Sequence, residues 1–216
     1  MAQIARNGNR AETVLTQQNS IKGALEAYFQ KPILSIEKIP GRKKSDNTIK
    51  FNDGTHVNFQ NKDGDGSGRG WSVDRRDAAD HGQDANLQTL LKSVCLRGKT
   101  TRPEVDVTIS HPLLDGCILG SEDTFKPAFY THTLSDKTTG VITKISICPT
   151  PILMQMLHSE LYDKMVPKLT CVHISPSIYL QRKGGGKTDA NPDHIQAKFK
   201  LNAKIAALFH DLSLIQ

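Results

Sequence analysis

Long hydrophobic runs are missing from this chain of 216 residues. No stretch of about 18 uncharged apolar residues occurs, so no segment qualifies as a membrane-spanning helix. The opening MAQIARNGNR has no apolar run of the secretory-signal kind. Cysteine is sparse and scattered: Cys95, Cys117, Cys148 and Cys171 form no C-x-x-C pair, and no histidine stands at zinc-finger spacing from them. That excludes a disulfide framework and a structural zinc site as the organising device. A cytoplasmic location is the expectation. Internal repeats and coiled-coil heptads are absent as well, which removes solenoid and filament architectures.

What is present is enough chain to enclose one sizeable core, so 1–216 is expected to be a single domain. Within it, 1–100 would hold N-terminal helices and a hairpin, and 101–216 a sheet and a second hairpin. The formal net charge is +6. Its distribution says more than its size. Arg42, Lys43 and Lys44 crowd before Asp46, while Arg182, Lys183, Lys187, Lys198, Lys200 and Lys204 face only Asp189 and Asp193 in their stretch. Two basic segments make one phosphate-binding surface if the fold unites them. The same charges also suit two separate solvated loops.

Hydrophobic spacing gives the elements. Residues 12–30 place Val14, Leu15, Ile21, Leu25 and Phe29 near helical period, predicting one or two helices that stop before Pro32. Ser45 to Phe51 and Thr55 to Lys62 read as strands joined by Asn52-Asp53-Gly54, a hairpin signal. Residues 63–70 (DGDGSGRG) are too polar and glycine-rich for a core. A helix is predicted over 84–97 with Asp84 as N-cap and Leu87, Leu90, Leu91 and Val94 on one face. Further expectations are a strand at Val105–Ile109, a strand pair at Phe125–Leu134 and Val141–Cys148, and a helix from Pro151 to about Met165. Two last strands, Val172–Gln181 and His194–Leu201, flank the loop RKGGGKTDANPD. The mixture predicts an α/β or α+β domain.

The first hairpin carries chemistry. Side chains alternate along a strand, so Gln60 and Lys62 share a face. A hard cation such as Mg²⁺ takes oxygen ligands, which the Asp46 carboxylate, the Gln60 amide oxygen and a neighbouring backbone carbonyl can supply. Lys62 would orient or deprotonate an attacking water, or stabilise charge on a reacting phosphate. Glutamine is a poorer metal ligand than glutamate, so a further carboxylate is wanted, and Glu12 is the candidate. The competing expectation is a solvated strand on which Lys62 only guards against edge pairing.

The second constellation is 177–200, SIYLQRKGGGKTDANPDHIQAKFK. Gln181, Arg182 and Lys183 run into three glycines, where backbone can approach another surface closely. Arg and Lys reach guanine edges and Gln pairs with adenine, so such a hairpin suits a DNA major groove. The P-loop pattern is incomplete, because GGGKT lacks the earlier glycine. Pro192-Asp193 followed by Gln196-Ala197-Lys198 mimics a metal centre, but two residues between the acid and the glutamine leave no room for a turn.

Ser45-Asp46 with Gln60-Asn61-Lys62, and Gln181-Arg182-Lys183-Gly184-Gly185 with Gln196-Ala197-Lys198-Phe199-Lys200, together resemble the type II restriction endonucleases of the PD-(D/E)xK superfamily. The likeness is to the MspI and HinP branch, the HinP side most nearly. It implies a mixed central sheet flanked by helices and Mg²⁺-dependent hydrolysis of double-stranded DNA to 5′-phosphate ends, at a short site with a central CG. It implies Asp46, Gln60, Lys62 and Glu12 as catalytic residues, with metal at Asp46, Gln60 and Asn61. DNA contacts are implied at Gln181, Arg182, Lys183, Gly184, Gly185, Lys187, Gln196, Lys198 and Lys200. A cognate DNA methyltransferase is expected as a genetic neighbour and not as a bound subunit, and a monomer and a weak homodimer both fit. Trp71, with Arg69, Arg75 and Arg76, departs from that pattern. Two rivals stand beside this reading: a repair or recombination nuclease that reads DNA structure, and a non-catalytic DNA-binding protein.

Overall fold

The computed structural model describes residues 13–40, 44–64, 70–77, 80, 84–95, 106–109, 111–120, 125–136, 138–168, 171–182 and 194–214. A helical stretch at 13–17 precedes α1 (Asn19–Phe29), β1 (Ile33–Lys38), β2 (Asn47–Phe51), β3 (His56–Asp63) and β4 (Trp71–Asp77). The chain continues through α2 (Ala85–Cys95), α3 (His111–Leu119), β5 (Phe129–Ser135), β6 (Ile142–Pro149) and α4 (Thr150–Ser159). It closes with β7 (Val166–Lys168), β8 (Cys171–His173), β9 (Ile178–Arg182), β10 (His194–Phe199), α5 (Ala203–Ala206) and β11 (His210–Leu212). The protein is therefore mixed α and β, as the hydrophobic spacing predicts. None of the described helices is long and apolar enough to cross a membrane.

Two compact units divide the chain, and the chain passes repeatedly between them. The first takes the described residues of Met1–Gly66, Glu122–Leu153 and Ala203–Gln216, and the second those of Ser67–Ser121 and Met154–Asn202. The first unit holds a six-stranded sheet in the order β1-β2-β3-β5-β6-β11. All its neighbours are antiparallel except the central pair β3 and β5, which run parallel. One face of this sheet is apolar. Ile49, Phe51, Phe59, Phe129, Ile145 and Ile147 bury there against Leu15, Ile21 and Leu25 of the N-terminal helical region. Phe59 stacks on Phe129 with centroids 5.1 Å apart. Gln18 fixes the helical region to the sheet, donating from Nε2 to the Ile142 carbonyl at 2.9 Å and accepting the Ile142 N–H at Oε1 at 3.1 Å.

The second unit holds a five-stranded antiparallel sheet in the order β4-β10-β9-β8-β7. Helix α2 packs against β8, β9 and β10, with Leu87, Leu90, Leu91 and Val94 buried. Its N-cap is Asp84, whose Oδ1 accepts the Leu87 N–H at 2.7 Å. Trp71 is structural, buried and tilted onto Phe199 at 5.7 Å. Just before it, Gly70 has φ +67, and a Cβ there would stand 3.0 Å from the Phe199 carbonyl oxygen, so the strand entry requires glycine.

Several expectations need correcting. The helix beginning at Thr150 ends at Ser159 and does not reach Met165. Beyond it the backbone finds partners outside any helix: Tyr162 N–H donates to Ile174, and Met165 N–H to Val107. Tertiary hydrogen bonds outcompete the helical ladder there. Val172–Gln181 is not one strand but β8 and β9, separated because Ser175 Oγ accepts the N–H groups of Ser177 and Ile178 at 3.1 and 2.9 Å. At Val105–Ile109 the described residues make only an isolated bridge, Thr108 to Lys164. Helices α3 and α5 and strands β1, β4, β7 and β11 come in addition to the predicted elements. The Asn52-Asp53-Gly54 hairpin forms as predicted, with Gly54 at φ +82.

The stacked Phe59 is the test of this core. Phe59→Ala should lower the free energy of unfolding by about 3–5 kcal/mol, read from denaturant titrations followed by circular dichroism. A loss under about 1 kcal/mol would place the centre of the first unit elsewhere.

Candidate active site

Asp46 stands one residue before β2, where the ladder still continues: its N–H donates to the Phe59 carbonyl at 3.0 Å and its carbonyl accepts from Ile39 N–H at 2.9 Å. Ser45, buried beside it, donates from Oγ to the Phe125 carbonyl at 2.6 Å. The Asp46 side chain is thereby held against β3. Its Oδ2 accepts from Gln60 Nε2 and from the Asn61 backbone N–H, the latter at 2.9 Å. Lys62 follows two residues after Gln60 on the same side of the strand, half-buried. The structure thus brings Asp46, Gln60 and Lys62 together.

Asn61 faces the other way. Its Oδ1 accepts from Thr131 Oγ1 at 2.7 Å, and its Nδ2 donates to Thr133 Oγ1 at 3.3 Å. Asp63 continues this belt, accepting from Thr133 at 3.2 Å and from Ser135 at 2.8 Å. The Asn61 side chain is therefore occupied beneath the sheet, and only its main chain lies at the Asp46 side. Asn47 shares the buried face; it is 0% exposed, and neither its Oδ1 nor its Nδ2 has a hydrogen-bond partner among the described residues.

Register adds residues that the sequence reading passed over. Lys62 is opposite His132 on β5, His132 is opposite Ser146 on β6, and Ser146 is opposite Asp211 on β11. These four make one row across the sheet on the Lys62 face. Ser146 Oγ donates to Asp211 Oδ1 at 2.7 Å, and Lys144 Nζ pairs with Asp211 Oδ2 at 2.8 Å. The His132 ring bonds to the Gly64 carbonyl at 2.9 Å, which requires the proton on Nε2 because a carbonyl only accepts. Burial chiefly lowers the His132 pKa below its ordinary 6.5, with Lys144 acting in the same direction and the Gly64 bond opposing. The next row is Gln60, Tyr130 and Cys148, where burial pushes the thiol up to about 11 and leaves it protonated. Period-2 alternation in FYTHTLS put His132 on one face of a strand; nothing in the sequence pairs that strand with Lys62.

The donors can be tested against Mg²⁺. Among the described residues no group of three or more His, Cys, Asp or Glu side chains could hold a metal ion. A Mg²⁺ site needs less, since one or two carboxylates with substrate phosphate oxygens and water suffice. Asp46 gives one carboxylate, and Gln60, whose Nε2 is spent on Asp46, keeps Oε1 as its oxygen donor. The residues fit such a site. Glu12 lies outside the described residues.

The second constellation belongs to the other unit. Gln181 is opposite Gln196, and Tyr179 is opposite Lys198, so these four share one face of β9 and β10. Gln196 is buried and donates from Nε2 to Ser72 Oγ, which makes it a support and not an exposed reader. Lys200 Nζ stands 5.3 Å from the centre of the Tyr179 ring, and His173 stacks on the same ring with centroids 5.3 Å apart. Arg182 is opposite Ile195 and projects to the face that carries Leu180. Gln181 and Arg182 thus cannot read the same surface from within the strand. Lys183, Gly184, Gly185 and Lys187 lie outside the described residues.

Set against known proteins, the chain matches no family model, and no curated protein matches it.

The pH dependence follows from His132. Its folded pKa lies below the unfolded one, so its contribution to stability is present above about pH 6.5 and is lost as acid forces a proton onto the buried ring. His173 is shifted the same way by burial. The difference between wild type and His132→Phe therefore reports on His132. Denaturation free energies should fall more steeply below about pH 6.5 in the wild type than in the variant; parallel curves would contradict a buried neutral ring.

Proposed function

We propose that this protein is a Mg²⁺-dependent endonuclease of the PD-(D/E)xK kind that hydrolyses phosphodiesters in double-stranded DNA at a short specific site, as the type II restriction enzymes do. One observation carries the reading: Asp46 and Gln60 are hydrogen-bonded to each other on the strand face that bears Lys62. An acid, an oxygen donor and a lysine converge there.

Asp46 and Gln60 Oε1 would hold the Mg²⁺, together with the Asn61 main chain. When bound, the ion supplies positive charge that polarises the phosphate and favours hydroxide over water. The Asn61 N–H keeps the Asp46 carboxylate oriented. Lys62 places a cation where negative charge grows on the phosphate oxygens, an interaction stronger in the transition state than in the ground state. Gln181 and Lys198, on one sheet face, and Arg182, on the other, would contact DNA in the second unit. A short CG-containing site and a partner methyltransferase gene accompany this reading. The rival reading is a non-catalytic DNA-binding protein, in which the Asp46 to Lys62 hairpin is scaffold and only the second hairpin acts.

Lys62→Ala should lower Mg²⁺-dependent cleavage of plasmid DNA by at least about 100-fold while leaving binding to the same DNA in Ca²⁺ nearly unchanged. Retained cleavage removes Lys62 from the reaction, and absence of cleavage in the wild type favours the binding protein. For recognition, Gln181→Ala should cost about 1–3 kcal/mol on the preferred sequence and much less on random DNA. Lys198→Ala should weaken both alike and reduce the salt slope by about one. Equal losses for Gln181→Ala on both DNAs would reduce the hairpin to an electrostatic clamp.

A further inference from the structure

Gly64 is the point at which the strand bearing Lys62 leaves the sheet. It has φ +87, in the left-handed region, so the chain turns sharply two residues beyond the lysine. Both of its peptide groups are held by consecutive residues of β5. The Gly64 N–H donates to the Thr133 carbonyl at 2.9 Å, and the Gly64 carbonyl accepts from the His132 ring at 2.9 Å. The first bond is an ordinary extension of the parallel ladder. The second is made by a side chain, and that side chain is the cross-strand neighbour of Lys62. The ring is in turn backed by Phe209, which meets it edge-on at 6.2 Å, and by the Ser146–Asp211 pair of the same row.

We propose that His132 is a positioning residue for Lys62: its Nε2–H, by pinning the Gly64 carbonyl, fixes the course of the chain past the lysine and so the place of the ammonium beside Gln60. The proposal rests on the nuclease reading for its effect on catalysis, but the positioning itself can be seen without any substrate. Burial keeps the ring neutral around pH 7, so it orients Lys62 without adding a second positive charge beside it. Gln offers an N–H of similar reach and should replace the bond. Phe keeps the contact with Phe209 and loses the bond.

The experiment compares wild type, His132→Gln and His132→Phe, all checked for folding by circular dichroism. The Lys62 amine is followed by NMR after ¹³C-methylation of lysines, its signal identified by its loss in Lys62→Arg, and cleavage of plasmid DNA with Mg²⁺ is followed in parallel. In His132→Phe the Lys62 signal should move toward that of an exposed lysine, with kcat reduced by about 10- to 100-fold and KM little changed. His132→Gln should restore both. A Lys62 signal unaltered in His132→Phe overturns the proposal, as does a Gln variant no better than Phe. If no variant and no wild type cuts DNA while the Lys62 signal still moves and is rescued, the nuclease reading falls and the positioning stands. Should His132→Phe not fold, ¹⁵N NMR of the wild-type ring decides: a neutral ring protonated on Nε2 supports the pin, and one protonated on Nδ1 overturns it.

Discussion

The parallel pairing of β3 with β5 holds the first unit together and decides what surrounds the candidate site. Parallel neighbours cannot be joined by a tight turn, so a long crossover must separate them. Here the chain between the two strands supplies β4, α2 and α3, which belong to the second unit. One register in the middle of the sheet therefore sets two things at once. It stacks Phe59 on Phe129 within the core, and it lays His132 beside Lys62 on the opposite face. A slip of one residue would exchange those faces and put the lysine into the core.

The two faces of β3 are less alike than a simple apolar and polar division. The core side turns polar toward the Lys62 end, where Asn61, Thr131 and Thr133 bond to one another and Asn47 finds no partner among the described residues. Buried amides and hydroxyls are tolerated when they satisfy each other, and an unsatisfied one costs about 1–3 kcal/mol. The polar belt ties the strand segment that carries Gln60 and Lys62 to β5 through side chains as well as backbone. Rigidity of that segment is what a set of convergent donors needs.

The second unit uses the same alternation for a different balance of charge. Leu180, Ile195, Ala197 and Phe199 bury on one side of β9 and β10, while Tyr179, Gln181, Gln196 and Lys198 take the other. Gln196 is fixed by Ser72, so the polar face is partly preformed. Arg182 departs to the apolar side at the strand end. Adjacent residues of a strand do not act on one surface unless the strand ends between them.

Much of this was legible in the residues alone. Asp-Gly at 53–54 between alternating segments determined the β2–β3 hairpin, and alternation put Gln60 and Lys62 on one face. Asp84 with its leucines determined α2. These signals are local: turn chemistry, a cap and a period of two or 3.6 residues. The end of α4 at Ser159, the break at 174–177 and the pairing of β3 with β5 depended on distant partners for backbone and side-chain groups. Local periodicity carries no information about those partners. His132 shows the difference most directly. The sequence determined that it lies on a strand; only the tertiary register decided that the strand runs beside Lys62, because parallel pairing between distant segments is selected by the burial of whole faces and not by any neighbouring residue.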